Sequence, residues 1–249
     1  MLEPFSLEGR VALVTGSARG LGFEIARGML AAGARVFING TNDANLQSAL
    51  GRLTEFGSRV QAKCFDVSDE AASEEAVGAI HSENGRLDIL VNNVGIRMRE
   101  PIEKIGSEDL RRMLDVDLVS AYALSKLCAP LMAEGGYGRI INISSVAALR
   151  GFKGDAAYII VKGAMNAMTR SFAAEFGPLV TCNAIMPGGF STESNPHFKD
   201  SPRREMFKGL ALGRPGDPSE IAGPAVFLAS PVASYVTGLC MAVDGGASL

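Results

Sequence analysis

Tyr158 and Lys162 stand four residues apart in the run Ala156-Ala157-Tyr158-Ile159-Ile160-Val161-Lys162. Four residues is about one helical turn, so a phenol and an ammonium share one face. A cation beside a phenol favours its ionised form, which suits a tyrosine to proton transfer. Ser145 lies just past the apolar run Arg139–Ile143. A hydroxyl there can polarise a carbonyl or hold an alcohol. Near the N-terminus, Thr15-Gly16-Ser17-Ala18-Arg19-Gly20-Leu21-Gly22 follows the apolar run Val11–Thr15. Glycines after a strand and before a helix permit a tight turn and let backbone N–H groups approach a pyrophosphate. The helix start favours the same anion. In isolation each feature also has a plain reading, as a solvated helix face or a turned corner.

These groups need a scaffold, and the hydrophobic pattern supplies one. Val11–Thr15, Arg35–Asn39, Val60–Phe65, Ile89–Asn92, Arg139–Ile143, Val180–Ile185 and Leu239–Val243 are short apolar runs of the kind found in sheets covered on both faces. Helical spacing fills 21–32, 43–56, 69–84, 107–133, 156–176 and 217–229. Gly33, Gly57, Gly85 and Gly177 sit at expected helix ends, and Asp69, Ser107 and Asp217 at expected starts. The alternation predicts an α/β fold: a doubly wound parallel seven-stranded sheet with helices on both faces. No linker or repeat interrupts it, so residues 1–249 read as one domain. The stretch 187–215, punctuated by Pro and Gly, reads as a loop closing over substrate, with His197 a surface residue of it.

Composition narrows the function. The 249 residues are 47% hydrophobic with a net charge of −3, which argues against disorder and against nucleic-acid binding. Cys64, Cys128, Cys182 and Cys240 form no C-x-x-C pair, and no His/Asp/Glu cluster has metal-ligand spacing. The acidic N-terminal residues do not make a signal peptide, and no uninterrupted apolar run approaches membrane-spanning length. A cytoplasmic protein without a catalytic metal, a nucleic-acid partner or a membrane is expected.

The motif T-G-x-x-x-G-x-G resembles the short-chain dehydrogenase/reductase family, a Rossmann-type fold. The resemblance continues in order through Asp66-Val67, Asn92-Asn93-Val94-Gly95, Ser145, Tyr158-x-x-x-Lys162, Pro187-Gly188-x-x-x-Thr192 and Val243-Asp244-Gly245-Gly246, covering nearly the whole chain. It implies a reversible hydride transfer between a nicotinamide and a secondary alcohol or ketone. Ser145, Tyr158 and Lys162 would be catalytic. Gly16, Ser17, Arg19, Gly20, Leu21, Gly22, Asp66, Val67, Asn92, Asn93, Gly95, Tyr158, Lys162, Pro187, Gly188 and Thr192 would line the cofactor. Asp117 stands where many members carry an asparagine credited with a proton relay to the lysine. Members are commonly homotetramers, and 107–133 and 156–176 carry broad faces of small and apolar residues suited to pairing.

The cofactor follows from the end of the second strand. An NAD-preferring site places a carboxylate there, whereas this chain has Gly40. Thr41 and Asn42 can donate to a 2′-phosphate and Arg19 can pair with it, so NADP(H) is expected over NAD(H). For the substrate, Asn92–Pro101, Val36–Gly40 and Asp115–Leu118 resemble gluconate 5-dehydrogenase members. That resemblance points to a sugar acid such as gluconate or 5-ketogluconate, with Arg99 gripping the carboxylate beside Ser145 and Tyr158. The competing view of Arg97 and Arg99 is a solvated loop. The 3-oxoacyl-carrier-protein reductases share nearly every motif and remain an alternative, as does a non-catalytic dinucleotide-sensing regulator.

Overall fold

The computed structural model describes residues 3–151, 153–193 and 207–249. The middle of the expected substrate loop, including His197, lies outside them. Seven strands form one parallel sheet in the order β3-β2-β1-β4-β5-β6-β7. They are β1 Val11–Val14, β2 Arg35–Gly40, β3 Val60–Cys64, β4 Ile89–Asn92, β5 Gly138–Ile143, β6 Val180–Pro187 and β7 Cys240–Val243. The helices are α1 Gly20–Ala31, α2 Asp43–Arg52, α3 Glu70–Asn84, α4 Ser107–Leu114, α5 Ser120–Glu134, α6 Ala156–Glu175 and α7 Ala222–Ala229.

Both faces of the central strands β1, β4, β5 and β6 are dry, which explains their unbroken apolar runs. In β1, Ala12 and Val14 join one core with Ile25, Met29 and Leu30 of α1 and Leu228 of α7. Val11 and Leu13 join a second core with Ile80 of α3, Leu124 and Met132 of α5 and Phe172 of α6. The strand order reverses between β1 and β4. Open sheets place their ligands in the crevice that this reversal leaves at the carboxyl edge.

Local chemistry explains most element ends. Asp69 caps α3 by accepting from the Ala72 N–H, and Gly85 closes it at φ 68°, a conformation that favours glycine. Asp217 caps a short 3-10 turn, Pro218–Ile221, ahead of α7. Three expectations need correction. Gly106, not Ser107, is the N-cap of α4. Helix α2 stops at Arg52, and Gly57 falls inside a kinked 3-10 stretch, Thr54–Arg59. The continuous helix expected over 107–133 is split by a π-helical turn, Asp115–Val119. Such turns insert one residue into the helical ladder and occur at functional sites. This one turns Asp117 into the interior, where it is 1% exposed.

By length and composition alone Ser107–Glu134 is long and apolar enough to cross a membrane, although charged residues interrupt the run. In the fold, α5 buries Leu124, Cys128 and Met132 against the sheet and α3.

Candidate active site

The turn after β1 is stapled from two sides. The Asn93 side-chain amide donates to the carbonyls of Thr15 and Gly16 at 2.9 and 3.0 Å, crossing the gap between β4 and β1. The Asn39 carbonyl oxygen accepts from the Gly16 N–H at 3.2 Å, while its amide donates to Lys63 and Phe65 of the β3 edge. Asn39 was not among the sequence candidates; a lone buried asparagine in an apolar strand was the available signal. Ser17 is fully buried, donates to the Val14 carbonyl and accepts from the Asn39 N–H. Its backbone N–H is taken by the Asn39 carbonyl. Ser17 therefore builds the turn, with its hydroxyl and backbone N–H both engaged inside the protein.

The glycines have different physical reasons. Gly16 and Gly20 adopt φ of 59° and 61°, and open space surrounds the Gly20 Cβ position. A Cβ on Gly22 would stand 2.4 Å from the Asn93 amide nitrogen. The first N–H groups of α1 lack intrahelical acceptors, as at every helix start. Arg19 is the N-cap residue, its side chain is exposed, and among the described residues it makes no hydrogen bond or ion pair. These features form a cradle of the shape and polarity that an anion such as a pyrophosphate could occupy.

Around the adenosine end the picture is mixed. Asp66 is exposed and accepts from the N–H and hydroxyl of Ser68. Val67 is a core residue. Thr41 is exposed, whereas the Asn42 carbonyl oxygen is committed to capping α2 through the Asn45 N–H, leaving only its amide. Gly40 has room for a Cβ, since the nearest atom to its Cβ position is 3.7 Å away. The missing carboxylate there is thus a matter of chemistry rather than of space. Asn92 is buried and binds Ser125 and Asn142 inside the second core, so its side chain does not line the cleft.

The catalytic candidates converge at the ends of β5 and α6. Ser145 follows β5, is 9% exposed, and accepts from the Ala147 N–H at 3.1 Å, which leaves its hydroxyl proton free to donate. Ser144 is consumed, donating to the Lys162 carbonyl. On α6, Lys162 Nζ lies 5.8 Å from the centroid of the Tyr158 ring and donates to the Ile143 carbonyl at 3.2 Å. Lys162 also forms an ion pair with Asp117 at 3.0 Å, with side chains 5% and 0% exposed. The partner atom, Asp117 Oδ2, lacks aligned hydrogen-bond geometry. Asp117 Oδ1 accepts from the Ile96 N–H at 2.7 Å. The aspartate therefore touches the lysine directly. Gly95 makes room for the pair: a Cβ there would stand 2.7 Å from Asp117 Oδ2 and 3.0 Å from Lys162 Nζ.

Gly188, at the end of β6, packs so closely on Asp244 that a Cβ would meet its Cα at 2.7 Å. The half-buried Thr192 follows. Arg99, expected to grip a substrate carboxylate, is bound to Asp155 at 3.1 and 3.4 Å, together with Arg97. Asp155 is 2% exposed. Burial pushes its carboxyl up, but the hydrogen bonds from the two arginines outweigh that and hold it below the usual range. Burial pushes the Cys128 and Cys182 thiols up to about 12, which removes them as nucleophiles.

A family model described as enoyl-(acyl carrier protein) reductase matches residues 16–248. Gluconate 5-dehydrogenase of Gluconobacter oxydans is 35% identical over 97% of this chain and 96% of its own length. A 3-oxoacyl-[acyl-carrier-protein] reductase of Vibrio cholerae is 36% identical over 97% of this chain and 98% of its own. A gluconate 5-dehydrogenase of Burkholderia cenocepacia, solved with NADP and tartrate, superposes with a TM-score of 0.91 at 34% identity. It covers 98% of this chain and 97% of that one.

Proposed function

The chain belongs to the short-chain dehydrogenase/reductase family, and we propose that within it the chain is an NADP(H)-dependent reductase and dehydrogenase of a sugar acid of the gluconate/5-ketogluconate type. Its enzymatic class, an oxidoreductase acting on CH–OH groups, follows from the family. The observation that carries the reading is the gathering of Ser145, Tyr158 and Lys162 at the carboxyl edge of β5, with the half-exposed Arg97 against the tyrosine ring.

The cradle fits a dinucleotide. Gly20, Leu21, Gly22 and the start of α1 would hold the pyrophosphate, Asp66 the adenine, and Gly95, Pro187, Gly188 and Thr192 the nicotinamide end. When bound, the nicotinamide supplies or accepts the hydride. The protein's part is positioning and proton transfer. The free hydroxyl proton of Ser145 would hydrogen-bond the substrate oxygen. Tyr158 would give its hydroxyl proton to that oxygen during reduction, or take it during oxidation. Lys162, held by the Ile143 carbonyl and Asp117, keeps a cation beside that proton transfer. Preference for NADP(H) is supported by the exposed Arg19 side chain, which has no partner among the described residues, and by Gly40 in place of a carboxylate.

Residues 1–249 would act as one domain. A homotetramer is supported by an apolar groove of about 250 Å³ lined by Leu118 and Val119 of the π turn, Tyr122 of α5, and Ala164 and Met168 of α6. Tyr122 in it is 48% exposed. Four unpaired cysteines suit a reducing, cytoplasmic setting. The test is a panel of 5-ketogluconate, a neutral keto-sugar and an acetoacetyl thioester with NADPH and NADH. Reduction of 5-ketogluconate with NADPH is expected. Turnover of the thioester alone would transfer the chain to the acyl reductases, and NADPH binding without any turnover to the dinucleotide sensors.

A further inference from the structure

We propose that Arg97, oriented by Asp155, is the residue that selects a monoanionic substrate, and that Arg99 serves mainly to buttress Asp155. The proposal rests on the sugar-acid reading and names the residue that enforces it. Arg97 reaches Asp155 through Nε, at 3.1 Å, and through Nη2, while Arg99 uses the same two oxygens at 3.4 and 3.1 Å. Two guanidiniums thus share one carboxylate. Arg97 and Arg99 contribute +2 and Asp155 −1, so the trio carries +1. A staple between the loop after β4 and the start of α6 needs only one arginine.

Among the described residues, the other paired charges nearby do not cancel the surplus. Lys162 is matched by Asp117 at 3.0 Å, and Glu100 by Lys104 at 3.7 Å. The unbalanced charge around Tyr158 therefore lies on the arginine side rather than on Lys162. It is also accessible, since the side chains of Arg97 and Arg99 are 43% and 48% exposed while that of Asp155 is 3%.

Position separates the two arginines. The Arg97 guanidinium lies 4.7 Å from the Tyr158 ring centroid, stacked against the proposed proton-transfer group. The Asp155 fork uses two of the five N–H donors of a guanidinium, so three remain on Arg97. A carboxylate can bind them in the same planar, two-pronged manner. It would then be anchored beside Tyr158 while the rest of an acyclic hydroxy acid extends toward Ser145. Arg99 holds the same aspartate by longer bonds. A net charge of +1 matches one carboxylate and leaves a doubly charged phosphate ester undercompensated.

The test compares wild type, Arg97→Gln, Arg97→Lys and Arg99→Gln on 5-ketogluconate and on a neutral keto-sugar with NADPH. NADPH affinity and melting temperature are measured alongside. Arg97→Gln should raise KM for 5-ketogluconate about 10- to 100-fold more than KM for the neutral sugar, as expected for losing one charge-assisted contact made in ground and transition states alike. Arg97→Lys should recover part of the loss, because the charge returns without the planar fork. Arg99→Gln should shift that selectivity less than Arg97→Gln. Equal effects of Arg97→Gln on both substrates would overturn the proposal, and so would a larger selectivity loss in Arg99→Gln. Should wild type not reduce 5-ketogluconate, the sugar-acid reading fails on its own. Competitive inhibition of neutral-ketone reduction by gluconate then decides on the anion site: weaker inhibition in Arg97→Gln supports it, and unchanged inhibition removes it.

Discussion

Replacing Asp117 by alanine strips a carboxylate from a fully buried ion pair with Lys162 and leaves the Ile96 N–H without its acceptor. Removing one member of a buried pair typically costs about 3–5 kcal/mol, because the other charge stays behind in a low-dielectric interior. The side chains are 5% and 0% exposed, so solvent cannot take over the role of the lost partner. For a chain of this size each kcal/mol moves the melting temperature by about 2–4 °C. Asp117→Ala should therefore melt about 6–20 °C below wild type by calorimetry. Asp117→Asn keeps an oxygen for the Ile96 N–H and a dipole toward the ammonium, so its loss should be smaller, about 1–3 kcal/mol. Turnover of Asp117→Asn should stay within about tenfold of wild type, since Lys162 is still held by the Ile143 carbonyl. Adding Lys162→Met to Asp117→Ala should restore part of the lost stability, because the stranded charge is then gone. A melting temperature for Asp117→Ala within about 2 °C of wild type would refute the argument that this pair is a structural keystone of the site.

Arg19→Ala should weaken NADPH by about 1.5–3 kcal/mol and NADH far less, measured by cofactor fluorescence titration, because only NADPH carries the 2′-phosphate; equal losses would assign Arg19 to the pyrophosphate. Gly40→Asp fits the space at that position and sets a carboxylate against the 2′-phosphate, so the ratio of kcat/KM with NADPH to that with NADH should fall at least about tenfold; an unchanged ratio would place the phosphate elsewhere. Asp155 is held below its ordinary carboxyl range in the folded protein, so its stabilising contribution is present at neutral pH and is lost as pH falls through and below about 3.8. Asp155→Asn should therefore show a flatter decline of melting temperature between pH 5 and pH 3 than wild type, and identical declines would contradict the pairing.

The fold was legible because its signals are local. Runs such as Ile89–Asn92 and Arg139–Ile143 are continuous and apolar since helices cover both sheet faces, and their ends fell within two residues of the observed strands. Asp69 and Gly85 mark α3 because capping depends on one residue and its own backbone. The misreadings share a different cause. Asp115–Val119 forms a π turn because Asp117 finds Lys162 and the Ile96 N–H, partners distant in sequence. Ser17 and Asn92 look like cleft residues by spacing, yet their hydrogen bonds run into the interior toward Asn39 and Asn142. The pairing of Arg99 with Asp155 was not legible because the two stand 56 residues apart. The types of the catalytic residues can be read from spacing, whereas the charge balance around them depends on partners that only the fold brings together.

The most direct test of the central claim, that Tyr158 is the proton donor of a hydride-transfer site, is the comparison of Tyr158→Phe with wild type. Single-turnover reduction of the best carbonyl substrate would be followed by NADPH absorbance, and NADPH affinity measured on the same preparations. Phenylalanine keeps the ring over which Arg97 stacks and removes only the hydroxyl. The expected result is a fall of about 10²–10⁴-fold or more in the chemical step, with NADPH affinity and melting temperature close to wild type. A chemical step within a few-fold of wild type would contradict the account, because the proton would then come from a group other than Tyr158.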